Sequence, residues 1–415
     1  MVNRELRHAL RGVDGPVAVI DRDAFDANAR ALSERAGGLP IRVASKSLRV
    51  LAAIERALAA PGFSGVLAYS LPEALMLVER GIRDIVVAYP SVDRSALRRL
   101  LASVEARQTI TLMIDSTRHL ELIAEVRRED GSESGHAADG AAGRADGARA
   151  GDAVRICIDI DASYRLGEGL LGDRLHIGAR RSPIRDAESA VALARHVVDR
   201  PGFDLVGLMS YEGQIAGTAD AGRSPARAAV RRLQTLSARE LTVRRKDIVA
   251  RVREVADLEF VNGGGTGSLE SSAAEGTLTE VAAGSGLFAP GLFDGYAHFR
   301  HRPAAYFATP VVRRPGPGWV TVFKGGLIAS GVPGPDRLPT IAWPPGLDYA
   351  VLEGAGEVQT PLRGPGAEDL GIGDLVWFRH AKAGELAEHF GQFLVVSGAG
   401  IAERWTTYRG HGWVL

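Results

Sequence analysis

Lysine is scarce in this 415-residue chain. Lys46, Lys246, Lys324 and Lys382 are the full set, and arginine carries the rest of the positive charge. One of the four follows an apolar run, Ile41-Arg42-Val43-Ala44-Ser45-Lys46-Ser47, that reads as a buried β-strand. Arginine stays protonated in proteins and forms no Schiff base, whereas a desolvated lysine can lose its proton and condense with a carbonyl. Lys46 is therefore a candidate covalent anchor for a carbonyl cofactor. The alternative is a lysine that snorkels from a strand end into solvent.

Three further stretches combine a strand end with polar chemistry. Asn262-Gly263-Gly264-Gly265-Thr266-Gly267-Ser268 places glycines where successive backbone N–H groups can converge on an anion, with Thr266 and Ser268 adding hydroxyls. No Lys-Ser/Thr pair closes it, so it is not a Walker loop, and it falls too late in the chain for a dinucleotide fingerprint. A phosphate cradle is the functional reading and a plain glycine turn the other. Tyr211, in Ser210-Tyr211-Glu212-Gly213, could stack on a ring or simply pack at an interface. Arg165, in Asp159-Ile160-Asp161-Ala162-Ser163-Tyr164-Arg165, could hold a phenolic oxygen or a carboxylate, or pair with Asp159 or Asp161.

The elements that must position these groups alternate. Short apolar strands and amphipathic helical patterns succeed one another for about the first 290 residues, the mark of βαβ units and a parallel sheet. Strands are expected at 17–20, 41–45, 65–69, 84–88, 109–114, 154–160, 204–209, 258–262 and 279–283. Eight such units close a (β/α)8 barrel whose chemistry sits at the C-terminal strand ends, where Lys46, Tyr211 and the glycine run all fall. The surplus strand is 17–20. Residues 129–152 hold no large apolar side chain and read as a flexible insertion. After about residue 300 short β-type runs such as Trp319–Phe323, Leu375–Phe378 and Phe393–Val396 predict an all-β domain. The expected division is 1–20 as a strand-bearing segment, 21–298 as the barrel and 299–415 as the β-domain.

Formal net charge is zero, which gives no electrostatic footprint for nucleic acid or an anionic membrane. The single cysteine, Cys157, lies in an apolar run and reads as a core residue; it permits no internal disulfide. No signal-like or membrane-length apolar run occurs, so a soluble, cytoplasmic protein is expected.

A lysine anchor, a phosphate cradle and barrel-mouth polar groups together suggest pyridoxal 5′-phosphate. With Ser45-Lys46, Tyr211-Glu212-Gly213, the Gly263–Gly267 run and a C-terminal β-domain, the sequence resembles the fold-type III pyridoxal-phosphate enzymes, the alanine racemase-like barrels. Within them it is most similar to the D-threonine aldolase and D-serine dehydratase branch. The resemblance implies that Lys46 carries the cofactor, that Gly264, Gly265, Thr266 and Gly267 grip its phosphate, that the 17–20 strand joins the β-domain, and that the protein is a homodimer.

That branch places a divalent metal on a His-x-Cys or His-x-Asp pair. Here the matching stretch is His380-Ala381-Lys382, with an ammonium at the second ligand position. The expectation is that the metal is absent and that Lys382 partly replaces its charge, with Glu385 or His389 as alternative ligands and a plain Lys382–Glu385 pair as the competing reading. The function implied is lyase chemistry on a D-configured β-hydroxy amino acid, with Lys46, Tyr211 and His380 as catalytic groups. Retro-aldol cleavage is preferred and dehydration is the alternative, because a hydroxyl leaves less readily without a Lewis acid. A racemase would need a second base such as Tyr306 or Tyr349. A non-enzymatic cofactor carrier would not need the β-domain.

Overall fold

The computed structural model describes residues 2–129, 152–166 and 175–414. The expected insertion lies almost wholly outside them. By compactness the chain divides into two units, one of residues 1–32, 45–61 and 284–414, the other of 33–44 and 62–283.

In chain order, β1 is Val17–Asp21, β2 Ile41–Ala44, β3 Phe63–Ala68, β4 Ile85–Val87, β5 Ile110–Ile114 and β6 Val154–Asp159. A hairpin follows, β7 Tyr164–Arg165 and β8 His176–Ile177, then β9 Phe203–Ser210, β10 Phe260–Gly263 and β11 Glu280–Ala283. The closed barrel runs β2-β3-β4-β5-β6-β9-β10-β11 and back to β2, with every neighbour pair parallel. These are the eight strands expected after 17–20, each within two residues at its ends. Between them the helix over Ala187–Val198 starts where Asp186 accepts from the Ser189 N–H, and Ser70 caps Leu71–Glu79 ahead of Pro72 in its first turn. The helix over Val104–Thr109 was not foreseen; its residues carry no apolar period.

Parallel strands buried on both faces read as apolar runs, and the interior here is filled by Ala44, Leu67, Met113, Cys157, Met209 and Phe260 among others. Below this layer sits a charge. Arg42, 2% exposed, donates from Nε and Nη2 to Glu280 at 2.7 Å each and from Nη1 to Asp84 at 2.8 Å. Gly65 makes the room: a Cβ there would fall 2.4 Å from Arg42 Nη1, and its φ of +69° favours glycine. Gly207 does the same for Phe260, whose ring would lie 2.3 Å from an added Cβ.

The other unit holds a nine-stranded sheet. Its members are β1 with β12 Ala305–Gly316, β13 Trp319–Phe323, β14 Thr340–Trp343, β15 Asp348–Tyr349, β16 Gln359–Arg363, β17 Leu375–Arg379, β18 Gln392–Ser397 and β19 Gly400–Thr406. β1 pairs antiparallel with β12 and parallel with β18. The surplus strand thus pairs within the β-sheet unit and not within the barrel. Among the described residues no helix is long and apolar enough to cross a membrane.

Candidate active site

Lys46 stands two residues beyond β2, in a single 3-10 turn over Ser45–Ser47, and its side chain is exposed. The inward-facing residues of β2, Arg42 and Ala44, share its parity. The turn is fixed on its outer side by its own compact unit. Arg49 Nε donates to the Lys46 carbonyl at 3.2 Å while its Nη1 meets Glu388 at 2.8 Å. Gly384, at φ +92°, lies so close that a Cβ would sit 2.0 Å from the Lys46 carbonyl oxygen. The segment carrying His380 and Lys382 is therefore packed on the backbone of Lys46.

Tyr211 follows β9 directly. Its ring is bracketed by glycines, since a Cβ at Gly265 would approach Cε2 at 3.1 Å and one at Gly213 would approach Cε1 at 3.2 Å. The Arg181 guanidinium lies 5.3 Å from its centroid and 5.5 Å from that of Tyr89, which follows β4. Burial, with Glu212 beside it, pushes the Tyr211 hydroxyl up from its ordinary value.

The glycine run leaves β10, the seventh barrel strand, where phosphate sites of barrels collect. Not all its donors point outward. Gly264 N donates to Glu212 Oε2 at 3.2 Å and Gly265 N to Ser268 Oγ at 3.1 Å. Gly267 N meets no acceptor among the described residues. Gly264 and Gly265 therefore shape the loop, and the phosphate donors expected from the whole run narrow towards its end.

Arg165, on β7, donates to Asp161 Oδ2 at 3.0 Å, the ion pair foreseen as the alternative to a ligand contact. Burial would raise the Asp161 carboxyl, but bonds from Ser163 and the charges of Arg185 and Arg165 hold it low. Lys382 likewise donates to Ser330 Oγ at 2.6 Å and pairs with Glu385 at 3.2 Å. His380 is buried, with Nδ1 3.2 Å from the Ala305 carbonyl. A carbonyl only accepts, so Nδ1 carries the proton and Nε2 offers a lone pair, with no partner among the described residues. Burial, then Arg379, pushes His380 down to about 3.

The two tyrosines considered as a racemase base are differently disposed. Tyr306 packs in the core beneath the helix over Arg4–Ala9, and burial pushes it up to about 12. Tyr349 donates its hydroxyl to the Pro339 carbonyl at 2.8 Å, and burial raises it further still.

Asp159, which the sequence offered only as a partner for Arg165, ends β6. Desolvation raises its carboxyl to about 7, helped by Asp115 and Asp161 and opposed by Arg181. Because its folded pKa lies above the ordinary 3.8, ionising it costs stability as pH rises from about 4 to about 7. Asp159→Asn should therefore unfold at the same denaturant midpoint as wild type at pH 4 and at a higher one at pH 8. The gap should reach up to a few kcal/mol. Equal midpoints at both pH values would show that the carboxyl ionises normally.

Such a barrel, with a lysine after its first strand and a glycine loop after its seventh, defines a class. Residues 20–288 match the model of the alanine racemase N-terminal domain, and the chain belongs to that family. It is 26% identical over 375 residues to a D-threonine aldolase of an Arthrobacter species, covering 87% of this chain and 84% of that one. It is 22% identical over 295 residues to a 3-hydroxy-D-aspartate aldolase of Paracoccus denitrificans, covering 68% and 63%. Among solved structures, D-threonine aldolase from Filomicrobium marinum superposes with a TM-score of 0.75 at 20% identity over 98% of this chain and 97% of that one. D-threo-3-hydroxyaspartate dehydratase from Delftia sp. HT23 gives 0.65 at 21% over 96% and 98%.

Membership in this family implies pyridoxal 5′-phosphate, and the residues fit it. The loop after β10 has no room for side chains at two positions, since a Cβ at Gly264 would fall 3.0 Å from Ser272 Oγ and one at Gly265 would fall 3.1 Å from the Tyr211 ring; Gly267 keeps a donor, and Lys46 would supply the amine. A divalent metal fits less well. His380 Nε2 is one open donor, but Lys382 is an ammonium, and among the described residues no three His, Cys, Asp or Glu side chains converge.

Proposed function

We propose that this protein is a pyridoxal-phosphate-dependent lyase that cleaves D-configured β-hydroxy amino acids by a retro-aldol reaction. The observation that carries the reading is the near full-length likeness to a D-threonine aldolase. When bound, the cofactor supplies an electron sink conjugated to the substrate's α-carbon. The chain's own residues supply the rest. Lys46 would hold the cofactor through its ε-amine, and that amine, when free, would be able to carry a proton. Tyr211, braced by Gly213 and Gly265, fixes the ring's place. Arg165, tied to Asp161, is carried as a ring-side cation. Thr266 and Gly267 hold the phosphate, with Gly264 and Gly265 giving their loop its shape. His380 accepts the hydrogen bond of the β-hydroxyl at Nε2 and orients it for cleavage. Lys382, through Ser330 and Glu385, keeps the turn beside Lys46 in place. The protein acts as a cytoplasmic homodimer in this reading.

The test is product analysis of the holoenzyme on D-threonine, D-serine and D-3-hydroxyaspartate, with and without added divalent cation. Glycine with acetaldehyde from D-threonine is the expected outcome. An oxo acid with ammonia would make the protein a dehydratase, and L-threonine without cleavage would make it a racemase.

A further inference from the structure

Beneath the glycine loop lies a buried ionic cluster that no contact with a ligand explains. Glu212, 2% exposed, accepts from Gly264 N at 3.2 Å, from Ser268 Oγ at 3.1 Å and from Ser272 Oγ at 2.6 Å. Arg245, also 2% exposed, reaches it from the helix over Pro225–Arg253 at 3.1 Å. The same guanidinium donates to the Ser210 carbonyl at 3.1 Å and to Glu275 at 2.5 Å. Burial, in spite of Arg245, raises the Glu275 carboxyl.

A buried carboxylate persists only when its lone pairs are filled and its charge is matched. Three donors and one guanidinium do this for Glu212. Two of its four partners set the loop directly, one through the Gly264 N–H and one through Ser268, whose hydroxyl also receives Gly265 N. Gly264 must then hold φ +75°, and the loop approaches Tyr211 through Gly265. Glu212 thus shares a strand end with Tyr211 and faces the opposite way, into the loop's underside.

We propose that Glu212, held by Arg245, is a positioning residue that gives the 263–267 loop its phosphate-binding shape without touching the phosphate. This rests on the pyridoxal-phosphate reading of the site. A glutamine at 212 keeps the volume but offers one acceptor oxygen, and its amide N–H groups face donors. The loop then loses its anchor while Lys46 is untouched.

The experiment titrates the apo form of the full chain with pyridoxal 5′-phosphate and, separately, with pyridoxal, following the absorbance of the imine to Lys46. Wild type and Glu212→Gln are compared, with near-ultraviolet circular dichroism reporting folding. Glu212→Gln should weaken pyridoxal phosphate by about ten- to a hundredfold and leave pyridoxal, which has no phosphate to grip, nearly unchanged. Ser272→Ala removes a single donor and should show the same split to a smaller degree, so it carries the test should Glu212→Gln not fold. Equal weakening of both ligands, or no weakening of either, in the folded variant would overturn the proposal. A wild type that takes up neither ligand would overturn the cofactor reading and this inference with it.

Discussion

Lys46→Ala loses the cofactor's visible absorbance and at least about 10⁴-fold in turnover, while the unfolding midpoint of its apo form stays at that of apo wild type. The side chain is exposed, and exposed substitutions away from caps and turns with special geometry cost about 0.5 kcal/mol or less. Activity and stability therefore separate cleanly at this position. The arginine variant sharpens the point: Lys46→Arg keeps the charge but cannot form the covalent link, so it should be as inactive as alanine. Retention of more than a few per cent of turnover in either variant would move the anchor elsewhere.

The largest loss of stability is expected at the bottom of the barrel. Glu280→Ala leaves the Arg42 guanidinium buried with only Asp84, half-exposed, against it. Burial opposes the charge, and the paired bonds that Arg42 donates to Glu280 are what hold it firmly ionised. Breaking a buried pair by removing one partner costs about 3–5 kcal/mol, whereas replacing both partners with apolar residues of similar volume is close to neutral. Chemical denaturation should therefore rank Glu280→Ala far below wild type and the double variant Arg42→Met with Glu280→Leu near it. Asn262, which donates to the same carboxylate at 2.8 Å, loses its partner too. A shift of under 1 kcal/mol in Glu280→Ala would mean that Asp84 alone sustains Arg42.

The barrel was legible because buried parallel strands leave apolar runs with no alternation to obscure them. Lys46 stood out because its residue type is rare in this chain and its place is a strand end. What the sequence hid depends on partners distant along the chain. Arg42 reads as an intruder in an apolar strand, and only Glu280, 238 positions on, makes it a core residue. The hairpin β7–β8 has two residues per strand, too few for any period to show. The glycine run could be read as a phosphate cradle or a plain turn, but that two of its N–H groups turn inward to Glu212 and Ser268 no spacing rule reveals. The pairs Arg165–Asp161 and Lys382–Glu385 were visible as local alternatives, being four and three residues apart, and the structure forms both.

The central claim is that one lysine, at the end of the first barrel strand, carries the cofactor. The most direct measurement is to load the protein with pyridoxal 5′-phosphate, reduce it with borohydride, digest it and locate the pyridoxyl group by mass spectrometry. Modification of the peptide containing Lys46, and of no other in appreciable yield, is expected. Modification at Lys246, Lys324 or Lys382 instead, or none at all, would contradict it.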